Sequence, residues 1–355
     1  MIKYLGSKRT LVDVIGRIAA ATGAQNAVDL FTGTTRVAQE LKRRGLHVTA
    51  ADLATYSEVL ADCYIATDEN AVDEAELAEA LRELAELPGA PGYFTETFCI
   101  QSRYFQPKNG AKVDAIRDRL EQGYAGSPLY PVLLTALIEA ADRVDSTTGV
   151  QMAYLKQWAP RAHNDLRLRR PELVPGAGRS VRGDAMQVVG ELPRTDFMYI
   201  DPPYNQHRYF TNYHVWETLV RWDAPEYYGV ACKRIDSRDE ERKSVFNRKR
   251  EMPIAFRELL RRASAEVVAV SYNDESWISV DEMLAALHEA GHEDVRMLAF
   301  DSKRYVGAQI GIHNPAGEKV GSVSHLRNTE FIFVAGDRDR VGAAVNAVSP
   351  VPARA

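Results

Sequence analysis

Residues 199–204 read "YIDPPY", an apolar run that ends on a single carboxylate and is followed at once by two prolines. Proline fixes its own φ and pushes the residue before it into an extended conformation, so Asp201, Pro202 and Pro203 form a stiff projection past a strand end. Such a turn holds a carboxylate and a free carbonyl still, with Tyr204 beside them. Two fixed acceptors and a ring suit a planar amine, whose protons go to the acceptors while the ring stacks on it. A strand that merely stops at prolines, with Asp201 capping a turn, fits the same letters.

Two further stretches could receive a small molecule. "VDLFTGTTRVAQ", residues 28–39, reads as a strand ending in an acid, a small turn around Gly33 and then a helix. That turn lets a nucleoside or phosphate approach the backbone, although a tight strand-to-helix connection uses the same residues. It is not G-x-G-x-x-G, so a dinucleotide fold is not indicated. Asp52 closes "HVTAAD" about twenty positions later, where an acid either accepts hydrogen bonds from a ribose diol or caps the next helix. "HEAGH", residues 288–292, matches the zinc pattern H-E-x-x-H, but Gly291 sits where the preceding helix should stop, which removes His292 from the face of His288. No metal site is expected.

These groups need a scaffold that gathers strand ends. Helical periodicity up to Gly23, the apolar strand "NAVDLF", a helix stopped at Gly45 and the strand "HVTAAD" form a βαβ unit, hence a parallel, doubly wound α/β sheet. Strand signals return in "DFMYID", "EVVAVSY", "DVRMLAF" and "TEFIFVAG". The stretch between carries mainly helical signals. The expected organisation is a discontinuous sheet domain (residues 1–65 and 179–335), an inserted helical domain (66–178) and a frayed, flexible tail (336–355).

The 355 residues are 45% hydrophobic and 26% charged, with no low-complexity run, as in ordinary globular proteins. No apolar stretch approaches the ~18 residues that cross a bilayer and the N-terminus lacks a signal peptide's apolar core, so a cytoplasmic protein without membrane contact is expected. Cys63, Cys99 and Cys232 fit neither a disulfide framework nor a zinc spacing. A formal net charge of −5 argues against a general nucleic-acid binder. It conceals a basic stripe from Lys156 to Arg182, in which Arg169 and Arg170 are candidate DNA contacts. After "DPPY", Arg208 can reach phosphate, and Tyr209, Phe210, Tyr213 and Trp216 offer stacking or wedging rings, two of which are expected in the core. "CKRIDSRDEERKSVFNRKR", residues 232–250, reads as a mobile DNA-contacting loop or an exposed mixed-charge helix.

Taken in order, "KYLGSK" (Lys3 to Lys8), "DLFTGTTR" (Asp29 to Arg36), "AAD" at Asp52, "GDA" at Asp184 and "DPPY" at Asp201 resemble the alpha-group N6-adenine DNA methyltransferases, the Dam-like family. "AADRVDSTTGVQMAYLK" and "NYHVWETL" are most similar to modification methyltransferases of the FokI kind. The resemblance implies a seven-stranded Rossmann-like sheet that binds S-adenosylmethionine, with the helical insertion as target-recognition domain. It implies that Tyr4 and Lys8 line the cofactor, that Asp29, Phe31 and Gly33 pack against it, that Asp52 holds its ribose and that Asp184 reaches its adenine. By the same resemblance Asp201 and the Pro202 carbonyl grip the target N6 amine, and Tyr204 stacks on a base flipped out of double-stranded DNA. One departure stands out: Thr35 occupies a position where the family often has a second glycine.

The expected activity is site-specific adenine methylation of DNA by a monomer, without a metal, alongside a possible cognate restriction endonuclease. Cytosine-N4 methylation, RNA adenine methylation and a catalytically silent DNA-binding partner subunit are the alternatives.

Overall fold

The computed structural model describes residues 2–4, 8–203, 209–239, 244–274, 276–303 and 327–348. Two compact units emerge: one of Met1–Leu5, Ala54–Pro175 and Arg208–Lys243, the other of Gly6–Leu53, Gly176–His207 and Ser244–Ala355.

The second unit is built on a sheet of seven strands. They are β1 (Asn26–Asp29), β2 (His47–Asp52), β3 (Arg179–Arg182), β4 (Thr195–Ile200), β7 (Ala265–Asn273), β8 (Asp294–Lys303) and β9 (Arg327–Gly336), in the order β3-β2-β1-β4-β7-β9-β8. β3, β2, β1, β4 and β7 are parallel neighbours, whereas β9 runs antiparallel between β7 and β8. This is the Rossmann-like α/β sheet that the resemblance implied. From β1 the chain winds first through β2 and β3 and then through β4 on the other side, so the topological switch lies at the carboxyl ends of β1 and β4. Open α/β sheets place their ligands at that edge.

Residue pattern explains the elements. β7 is buried from Val267 through Asn273, as a strand covered on both faces must be. β3, "RSVR", has no buried residue and lies at the sheet margin, which is why its composition carries no strand signal. In this unit α1 (Val12–Ala21), α2 (Arg36–Arg43), α8 (Ala185–Glu191), α11 (Met252–Arg262) and α12 (Val280–Glu289) flank the sheet. Met198, Ile200, Val268 and Val270 join Phe256, Leu259, Leu287 and Phe333 in one apolar core.

The C-terminal segment corrects the sequence reading. Arg338–Val348 form a helix rather than a frayed tail. Asp337 accepts from the amides of Asp339 and Arg340 at 3.1 and 3.0 Å, and Val341 and Ala344 are fully buried. The helix lies against α1, more than 300 residues earlier in the chain, so its short Val/Ala stripe had no visible local partner.

The first unit is mainly helical: α3 (Thr55–Ala61), α4 (Glu74–Glu86), α5 (Tyr93–Thr95), α6 (Pro107–Tyr124), α7 (Tyr130–Arg143), α9 (Tyr209–Asn212) and α10 (His214–Arg221), with a hairpin of β5 (Tyr227–Tyr228) and β6 (Lys233–Arg234). Buried polar groups tie these helices together. Arg117 on α6 donates to the carbonyls of Leu219 (2.7 Å) and Val220 (3.0 Å), which satisfies the end of α10. Glu217 on α10 accepts from the Thr55 amide at 3.1 Å and so caps α3. Among the described residues no helix is long and apolar enough to cross a membrane.

The segment read as a DNA-contacting loop or exposed helix is also corrected. Arg234 is 1% exposed and pairs with Asp223 at 2.7 Å and Asp236 at 2.9 Å, and Phe246 is buried. Residues 240–243 of that segment lie outside the described residues.

Candidate active site

In the sheet unit, the turn after β1 is held by its own residues and by the next strand. Gly33 (φ +50°) and Thr35 (φ +61°) are both left-handed, and Thr35 is fully buried. Only glycine adopts that conformation without cost, so a β-branched residue there is strained. Hydrogen bonds hold it: the Thr35 amide donates to Thr32 O at 2.7 Å, and its hydroxyl accepts from Gln39 Nε2 at 2.9 Å. The Gly33 amide donates to Asp52 Oδ2 at 2.9 Å. Asp52 therefore locks the turn onto the end of β2, a role that neither the ribose reading nor the cap reading contained.

Asp29 ends β1 and is 1% exposed. Its Oδ2 accepts from the Thr32 hydroxyl at 2.9 Å and the Ala38 amide at 3.1 Å, while Oδ1 is buried without a hydrogen-bond partner among the described residues. Burial pushes this carboxyl up to about 7; the Thr32 bond opposes the rise, and the charge of Asp201 adds to it. Phe31 meets Phe246 edge-on, with centroids 5.2 Å apart. Asp184 caps α8 by accepting the Met186 amide at 2.9 Å.

Asp201 follows β4 directly. In the ladder Asp29 stands opposite Tyr199, so the two aspartates occupy the carboxyl ends of adjacent strands. Lys8 Nζ lies 3.3 Å from Asp201 Oδ1 and 3.0 Å from Glu330 Oε2, and the Lys8 side chain is 5% exposed. Burial pushes the Asp201 carboxyl up to about 6; Lys8 pulls it down and Glu330 pushes it further up. Pro202, the next residue, is buried.

Glu330 escaped the sequence reading. It stands near the start of β9, opposite Asn273 at the carboxyl end of β7. An antiparallel strand begins where its parallel neighbours end, which delivers Glu330 to the same edge as Asp201. The available signal was a lone acid at the mouth of the apolar run "TEFIFVAG".

The structure thus brings together Lys8, Asp29, Phe31, Gly33, Asp52, Asp184 and Asp201 in the sheet unit. Tyr4 belongs to the helical unit, where its ring stacks on Tyr213 (4.6 Å, 17°) and Tyr209 (5.3 Å, 26°) and meets Tyr56 edge-on. Tyr213 and Trp216 are each 1% exposed. Tyr213, expected at the DNA, is thereby corrected to a core ring of this unit. Arg169 and Arg170 are both exposed, and Arg170 pairs with Glu74 at 2.9 Å and Glu69 at 3.2 Å. Tyr204 and Arg208 lie outside the described residues.

The zinc-like pattern does not make a site. α12 stops at Glu289, Gly291 takes φ +98°, and His288 Nδ1 lies 3.2 Å from the His292 carbonyl oxygen. Among the described residues no cluster of His, Cys, Asp and Glu could hold a metal ion.

A model of the D12 class N6 adenine-specific DNA methyltransferases matches residues 4–286. Type II methyltransferase M.NlaIII of Neisseria lactamica is 30% identical over 309 residues, covering 83% of this chain and 90% of that protein. Type II methyltransferase M.CviAII of Paramecium bursaria Chlorella virus 1 is 29% identical, covering 83% and 90%. Type II methyltransferase M.FokI of Planomicrobium okeanokoites is 29% identical over 327 residues, and there the match spans 86% of this chain but 50% of the relative. With four-fifths of its length matched and its site motifs in order on a Rossmann-like sheet, the chain belongs to the D12 class N6 adenine-specific DNA methyltransferases.

Proposed function

We propose that Asp201 and the Pro202 carbonyl accept hydrogen bonds from the two N–H groups of the N6 amine of an adenine flipped out of duplex DNA, and that S-adenosylmethionine binds beside them at the switch point of the sheet. The carrying observation is the Lys8–Asp201 pair at the end of β4, in the same unit as the Gly33 turn that Asp52 locks. S-adenosylmethionine, when bound, supplies a methyl group already activated by its sulfonium charge. The chain's residues suit this cation. Gly33 permits close approach to the backbone, Asp52 and Asp184 provide acceptors, and Asp29 Oδ1 is a buried acceptor without a partner among the described residues.

The adenine N6 lone pair is delocalised into the ring and is a poor nucleophile. Hydrogen bonds from N6 to Asp201 and the Pro202 carbonyl favour a tetrahedral nitrogen and expose that pair. Lys8 keeps Asp201 ionised so that it can accept. Alignment does the rest, since reacting atoms held ~3–3.5 Å apart account for several kcal/mol of barrier. Extruding the base costs a few kcal/mol, and Tyr204 stacking on it offsets part of that cost. Arg208, Tyr209 and the exposed Arg169 meet DNA.

The helical unit recognises the target sequence, and the chain acts as a cytoplasmic monomer paired with a cognate restriction endonuclease. The type II names of its relatives support that pairing. Labelled S-adenosylmethionine and mixed-sequence DNA should yield N6-methyladenine on nucleoside analysis. Label on cytosine N4, in RNA only, or nowhere overturns the reading.

A further inference from the structure

Lys8 does not serve Asp201 alone. Its ammonium lies between two carboxylates from distant parts of the chain, 3.3 Å from Asp201 Oδ1 after β4 and 3.0 Å from Glu330 Oε2 on β9. The three side chains are mostly buried, at 5%, 18% and 15% exposure for Lys8, Asp201 and Glu330, so their charges act on one another with little screening. Lysine carries its charge on a flexible four-carbon stem, so the carboxylates around the ammonium help to set where it sits. Glu330 provides a second anchor for the ammonium, 3.0 Å away. It also competes with Asp201 for it.

We propose that Glu330 is a positioning residue for methyl transfer, which acts through Lys8 by setting how tightly the ammonium holds the Asp201 carboxylate that receives the target amine. The inference rests on that role for Asp201. It adds a residue outside all of the sequence motifs. The cluster is placed by topology: β9 is the antiparallel strand, and its early residues reach the edge where β4 and β7 finish.

The signs of the effects follow from charge. The groups acting on Asp201 are Lys8 from the N-terminal segment, Glu330 from β9, Asp29 from β1 and Tyr199 from its own strand. Lys8 favours the ionised carboxylate and Glu330 opposes it. Since burial lifts Asp201 to about 6, the acid limb of the transfer rate falls in an accessible range. Removing the Glu330 charge should move that limb to lower pH, and removing the Lys8 charge should move it to higher pH.

The test is the pH profile of methyl transfer to duplex DNA at saturating S-adenosylmethionine, for the full chain and for Glu330→Gln, Glu330→Asp, Lys8→Met and Asp201→Asn, each checked for folding by thermal melt. Glu330→Gln should lower the acid limb by about half a pH unit, read as a roughly twofold relative gain near pH 5.5, with a modest loss at the plateau. Glu330→Asp keeps the charge but draws it back, and should move the limb the same way by less. It stands in should Glu330→Gln not fold. Lys8→Met should move the limb upward. Coincident profiles for wild type and the Glu330 variants, a shift in the same direction for Glu330→Gln and Lys8→Met, or a folded but inactive Glu330→Gln overturns the proposal. An Asp201→Asn variant as active as wild type instead overturns the role of Asp201 itself.

Discussion

The Gly33 amide donates to Asp52 Oδ2 across 2.9 Å, so the end of β2 holds the turn that follows β1. Asp52 thereby keeps the backbone of that turn in place, and in the proposed function it also offers acceptors to S-adenosylmethionine. Asp52→Ala should weaken S-adenosylmethionine binding by more than the hydrogen bonds lost to the ligand, because the turn loosens as well. The expected loss is about 2–3 kcal/mol, or roughly 30- to 150-fold in Kd by calorimetry. A change below about threefold would leave the turn without a role in binding.

Asp201→Asn should retain cofactor binding and the native melt but lose at least about a hundredfold in transfer, since the amide cannot replace a charged acceptor. In the wild type, transfer should rise with pH through about 6, the value to which burial lifts Asp201, because in the proposed reaction the ionised carboxylate is the stronger acceptor for the amine. A rate that is flat from about pH 5 to 8 would contradict this.

Asp29 predicts a pH dependence of stability. Unfolded, the carboxyl titrates near 3.8, and in the folded chain burial lifts it to about 7. Between these values the native state binds more protons than the unfolded state, so this group's contribution falls as pH rises through the window. Asp29→Asn should flatten the fall in Tm between about pH 4 and 7, measured by thermal melts across pH.

Thr35 should show what the missing second glycine costs. Thr35→Gly removes the strain of a β-branched residue at φ +61° and should be tolerated, with a change in stability within about 1 kcal/mol of wild type, as hydroxyl bonds are lost too. Thr35→Val keeps the strain but loses the bond from Gln39, and should destabilise by about 1–3 kcal/mol in denaturant melts.

Arg234→Ala should unfold the helical unit more readily. It removes one of the two cations, the other being Arg221, that hold the Asp223 and Asp236 carboxyls below their usual range against the opposing effect of burial, a change costing about 1.5–3 kcal/mol. Calorimetric melting should show the loss whether or not DNA is present.

Much of the site was legible because its signals are local. The prolines stiffen Asp201 within three residues, Gly33 and Asp52 are spaced by one βα unit, and Gly291 breaks α12 before His292. The parallel core followed from apolar runs such as β7, whose composition reports burial directly. Chain order of the motifs identified the family before any contact was known.

The rest depended on partners distant in sequence. β3 is a strand because it pairs with β2, although "RSVR" has no apolar signal of its own. Arg338–Val348 became an ordered helix because α1 covers its stripe, and Tyr213 became a core ring because Tyr4 stacks on it and Tyr56 meets it edge-on. Arg234, in a run that reads as exposed charge, is neutralised by two aspartates and buried. Glu330 shows the limit most clearly: its nearness to Lys8 and Asp201 rests on the direction of β9, and side-chain alternation is the same for a strand running either way. Sequence alone determined which groups could do the chemistry and the sheet that carries them. Tertiary structure decided which charges share an edge, because burial and Coulomb coupling arise only once distant strands are paired.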